Sequence, residues 1–116
     1  MQADSEFVSE HESENENGSV YRLDGTKMIG KDAALHEIYT KLNFLEYLAV
    51  RNYDGLDELL MPDLWGDTRN LTIILSNAAR MIQQTDKQVV TTIFDTFRTT
   101  GKAWSEVDKE FSVFLK

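Results

Sequence analysis

The chain has 116 residues, no cysteine and a formal charge of −8. That length holds one domain with one modest core, and the missing thiols rule out disulfides and thiolate metal sites. The acid excess leaves no basic footprint for a phosphate backbone, so direct nucleic-acid binding is not expected.

The charge is unevenly spread. Residues 1–19 carry Asp4, Glu6, Glu10, Glu12, Glu14 and Glu16 without one base, while the remainder has fourteen acids against twelve bases. Residues 1–18 therefore read as a disordered acidic tail, because their composition buries too little apolar surface to offset ordering entropy. The start MQADSEFVSE has neither the basic beginning nor the apolar centre of a secretory signal. No apolar run reaches bilayer length. A soluble cytoplasmic protein with no membrane partner is the expectation.

Order should begin near Ser19. Val20 to Asp24 alternates and stops at Gly25, which suggests a short strand. Asp32 is a good N-cap residue, and Leu35, Ile38, Tyr39 and Leu42 recur at helical spacing, so the spacing predicts a helix over about 33–43. The connector FLEYLAVRNYDG leads to a second helix over about 55–61. Asp54 is its expected cap, Asp57 sits at the N3 position of its first turn, and Pro62 ends it. Leu71 to Leu75 is a β-branched apolar run suited to a strand covered on both faces. A short helix fits within 76–82. Thr85 and Gln88 have capping-box spacing ahead of a stripe of Val89, Val90, Ile93, Phe94 and Phe97, and Gly101 stands where a helix stop belongs. Glu110 to Lys116 reads as a last strand. Helices between strands imply an α/β domain over 19–116 with a small parallel sheet and right-handed crossovers.

Little in the chain suggests catalysis. His11 lies in the tail and His36 on the first helix, and neither has a nucleophile motif, phosphate loop or metal-binding partner around it. Asn52, Asp54 and Gly55 imitate part of a calcium loop, but its first and last ligand positions fall on Val50 and Met61, which offer no side-chain oxygen. No metal and no cofactor are expected. A carboxylate pair for a small hydrolase stays open on spacing alone, although Asp54 and Asp57 also suit a helix start for capping and dipole reasons.

The segment NYDGLDELLMPDLWGD carries Asp54, Asp57, Glu58, Asp63 and Asp67 with no lysine or arginine among them. Leu60, Met61, Leu64 and Trp65 offer apolar anchors between the acids. Such a surface would steer a basic partner and then exclude water from the centre of the contact. In the plainer alternative, Leu56, Leu59 and Leu60 face the core and the acids form an ordinary solvated face.

RNYDGLDELL, with LTIIL and IFDTFRTTG downstream, resembles the barstar family of ribonuclease inhibitors. Leu56-Asp57-Glu58-Leu59 matches the family's Leu-Asp-x-Leu helix, and Phe97-Arg98 its later Phe-Arg helix. The resemblance covers about residues 19–116. It implies a three-stranded parallel sheet flanked by helices. It also implies a protein without enzymatic chemistry, whose acidic loop and helix fill the cleft of a basic ribonuclease or related toxin. Asp57 aligns with an inhibitory aspartate of the family, Tyr53 would supply an aromatic contact, and Trp65 matches a tryptophan after the helix if one residue is deleted. With Asp54, Glu58, Met61 and Asp63 these make up the expected partner-binding set. The family's second helix aspartate falls on Met61, Asp63 replacing it only with a changed geometry at Pro62, and an acid expected early in the later helix falls near Thr91. An interaction module that kept the fold without inhibition is the alternative. Nothing demands more than a monomer.

Overall fold

The computed structural model describes residues 18–116. Three strands, β1 (Gly18–Asp24), β2 (Asn70–Ser76) and β3 (Glu110–Leu115), form one parallel sheet in the order β1-β2-β3. The helices are α1 (Lys31–Lys41), α2 (Tyr53–Leu59), α3 (Ala78–Gln84) and α4 (Lys87–Ser105), with 3₁₀ turns at Gly25–Lys27, Leu45–Val50 and Pro62–Trp65. This is the expected α/β architecture, a three-stranded parallel sheet flanked by helices. The expected tail lies outside the described residues except for Gly18, which opens β1.

Register follows from the side-chain period of two. Leu23, Leu75 and Leu115 stand opposite one another, as do Tyr21, Ile73 and Val113. The inward set joins Leu35, Ile38, Tyr39, Leu56, Leu60, Ile93, Phe97 and Trp104 in the main core. Ile74, also fully buried, points to the other face and packs with Phe114 and Val20 in a small separate cluster. The run Leu71 to Leu75 is therefore apolar throughout because both faces of the central strand are covered.

Four local expectations are corrected. The N-cap of α1 is Gly30, at φ 98°, not Asp32; Asp32 lies in the first turn and pairs with Arg51 at 2.7 Å. The N-cap of α2 is Asn52, not Asp54. Thr85 does not cap α4, because its hydroxyl donates to the Met28 carbonyl at 2.9 Å and accepts from the Gly30 amide at 3.3 Å; the neighbouring Asp86 accepts from the Gln88 amide at 2.8 Å instead. Nor does Gly101 stop α4. The helix continues to Ser105 and buries Trp104 completely, an apolar gain that outweighs the helix cost of one glycine, about 1 kcal/mol. The stop is Asp108, in the left-handed region at φ 58°, with the Lys109 amide bonded back to the Trp104 carbonyl at 2.9 Å.

Candidate functional site

Helix α2 has only seven residues, too few to persist on propensity alone. Contacts at both ends hold it. At its start, the Asn52 side chain accepts from the Gly55 amide at 2.6 Å. The buried Tyr39 hydroxyl in turn donates to the Asn52 carbonyl at 3.0 Å. Gly55 allows this close approach, since a Cβ there would lie 2.7 Å from the Tyr39 oxygen. At the other end, the last carbonyls of a helix lack intrahelical partners. Two indoles supply them: Trp65 Nε1 donates to Leu59 O at 2.9 Å and Trp104 Nε1 to Leu60 O at 2.7 Å. Met61 is extended (φ −65°, ψ 143°), as the residue before a proline should be, and Pro62 starts the next 3₁₀ turn.

The inner side of α2 places Leu56 and Leu60 in the core. Leu60 is thus no surface anchor; its indole-capped carbonyl and side chain are both buried. Asp54, Asp57 and Glu58 occupy the outer face at i, i+3 and i+4. All three are exposed, as are Asp63 and Asp67, while Tyr53, Met61 and Trp65 are half-buried. Among the described residues, none of these five carboxylates is engaged in a hydrogen bond or ion pair. With Asn52 as the cap, Asp57 falls beyond the first turn, so it serves neither as a cap nor as the first-turn acid that the sequence suggested.

Two nearby bases are occupied. Arg51 pairs with Asp32 and donates to Leu48 O at 2.7 Å, and the Lys31 ammonium sits 4.7 Å above the Tyr53 ring. The Tyr53 phenol is raised above its ordinary value of 10.0 by burial and then by the negative charge of Asp86. Asp86, which sequence reasoning missed, caps α4 and adds negative charge near the Tyr53 phenol. Its place just before the stripe of α4 was the available signal, overlooked because Thr85 had the capping-box spacing. Thr91, where an acid was expected early in this helix, is exposed and neutral.

Chemically, the face offers anionic oxygens and half-buried rings. His36 is exposed on α1, and the described residues contain no group of three or more His, Cys, Asp or Glu placed to hold a metal. No described helix is long and apolar enough to cross a membrane.

The family model described as Barstar (barnase inhibitor) matches residues 19–116. Comparisons with curated proteins and with solved structures find no match.

Proposed function

The chain belongs to the barstar (barnase inhibitor) family, and from that premise we propose that it is a protein inhibitor, not an enzyme. Its target in this reading is a barnase-type ribonuclease or related toxin with a basic cleft, bound by one copy of the chain in the cytoplasm. No nucleic acid is contacted directly. The observation that carries the reading is the outer face of α2 and its continuation to Asp67. Its carboxylates are exposed, unengaged among the described residues, and mounted on a helix fixed at both ends. A backbone already held in place needs little ordering on binding, so more of the carboxylates' attraction for cationic groups appears as affinity. Asp57 is assigned the central contact, with Tyr53, Asp54, Glu58, Met61, Asp63 and Trp65 around it.

Met61 favours a second reading. It stands where the family carries an acid, and the extended backbone before Pro62 takes it off the helical path. An interaction module that has kept the fold and binds another basic protein would tolerate this change.

Titration of the purified protein into a barnase-type ribonuclease, with RNA cleavage followed at low and moderate salt, separates the two. Stoichiometric inhibition that weakens with salt is expected of the inhibitor. Full RNA cleavage at saturating protein would overturn it in favour of the module.

A further inference from the structure

The acidic face of α2 adjoins a groove of about 330 Å³ between the Leu45–Val50 and Pro62–Trp65 turns. Leu59, Leu64 and Trp65 form one wall, Phe44 and Tyr47 the other, and Glu46 stands on the rim. The floor is rigid. Trp65 meets Phe44 edge-on at 6.0 Å and Tyr21 at 5.8 Å, and its indole N–H is fixed on Leu59 O. The upper walls lie open, with Leu64 61% and Tyr47 46% exposed. Glu46 is exposed and unengaged among the described residues.

Aromatic walls, an aliphatic side and a single unengaged acid suit a side chain with an apolar stem and a flat cationic head. The volume lies at the lower limit for small-molecule sites and fits one long side chain. Leu59 and Leu64 directly follow Glu58 and Asp63 in the chain, so the groove and the acidic face are built on the same two elements.

We propose that this groove receives an arginine side chain of the same basic ribonuclease, its guanidinium over the Tyr47 ring and paired with Glu46. The assignment rests on the inhibitor reading and deepens it, adding a contact to the acids of α2. In this arrangement α2 neutralises the cleft, while the groove selects among basic partners by whether an arginine stands at the right distance.

The test uses the full chain, a barnase-type ribonuclease and three variants, Glu46→Gln, Tyr47→Ser and Tyr47→Phe. All three change exposed side chains, so the fold should persist. Glu46→Gln and Tyr47→Ser should each weaken inhibition roughly three- to tenfold. The Glu46→Gln loss should shrink at high salt, and Tyr47→Phe should stay close to the wild type. Wild-type inhibition by both Glu46→Gln and Tyr47→Ser, with Asp57→Asn impaired, overturns the groove assignment and leaves the inhibitor reading standing. Loss with Tyr47→Ser alone overturns the arginine in favour of an apolar occupant. No inhibition by the wild type overturns both readings.

Discussion

Trp104, near the end of α4, donates its indole N–H to the main-chain carbonyl of Leu60 at 2.7 Å, across 44 residues of sequence and in a fully buried setting. This bond joins the longest helix of the domain to the end of the helix that carries Asp57. Trp104→Phe keeps much of the apolar surface and removes the donor. The buried Leu60 carbonyl then loses its partner, at a cost of about 1–3 kcal/mol, with more from the unfilled volume. The urea midpoint should fall at an unchanged m-value. A midpoint within error of the wild type would show that the bond contributes nothing.

Asp57→Asn separates binding from folding. The side chain is exposed and unengaged among the described residues, so stability should stay within about 0.5 kcal/mol. Inhibition of a barnase-type ribonuclease should weaken at least about tenfold, or 1.4 kcal/mol. Equal potency of variant and wild type at low salt would remove Asp57 from the contact.

Two glycines should respond to alanine with opposite signs. A Cβ on Gly25 would lie 2.4 Å from the Asn77 carbonyl oxygen and 2.8 Å from that of Ser76. Both atoms are main chain, so relief requires a backbone shift, and Gly25→Ala should cost about 1–3 kcal/mol. A Cβ on Gly101 meets nothing closer than the Phe111 carbonyl at 3.7 Å. Gly101→Ala should gain about 0.5–1 kcal/mol from helix propensity. Thermal unfolding of the two variants side by side checks the signs.

Thr100 is fully buried, and its hydroxyl finds no hydrogen-bond partner among the described residues. Thr100→Val replaces the hydroxyl with a methyl of similar size and removes an uncompensated polar group. Stability should rise by about 1 kcal/mol. A fall in the denaturation midpoint would mean that the hydroxyl is satisfied in solution.

Alkaline pH should loosen the start of α2. Burial raises the Tyr39 phenol above its ordinary value of 10.0, opposed by the Asn52 amide N–H, which donates to the phenol oxygen at 3.4 Å. The folded chain therefore keeps this proton after the unfolded chain begins to lose it. The resulting stability is present below pH 10 and is lost as pH rises through the folded value. Tyr53, raised for the same first reason, acts in the same direction. Tyr39→Phe should be less stable at neutral pH, through loss of its bond to Asn52, yet lose less on going above pH 10. Parallel pH–stability curves would refute the assignment.

The strands and the core stripe of α4 were legible because local pattern and tertiary demand coincide there. Leu71 to Leu75 is apolar throughout, as a central strand covered on both faces requires, and Val90, Ile93 and Phe97 keep helical spacing against the sheet. Caps and stops were less legible because distant residues decide them. Asn52 and Asp54 are equally good caps in isolation, and Tyr39 selects Asn52. Thr85 has the right spacing for a cap, but Met28, 57 residues away in sequence, engages its hydroxyl. Gly101 reads as a stop until Trp104 is seen in the core. The groove beside α2 was invisible for a related reason, since Tyr21 and Phe44 meet Trp65, and Tyr47 joins the lining, only once the sheet and two 3₁₀ turns are assembled.

Helix α2 draws its support from side chains that face inward and from its own main chain: Leu56 and Leu60 beneath, Asn52 and Tyr39 at one end, and two tryptophans at the other. Nothing in that support depends on what stands at positions 54, 57 and 58. The domain therefore resembles a handle with an interchangeable bit. Substitutions at those outward positions should change the charge of the exposed face with little loss of stability.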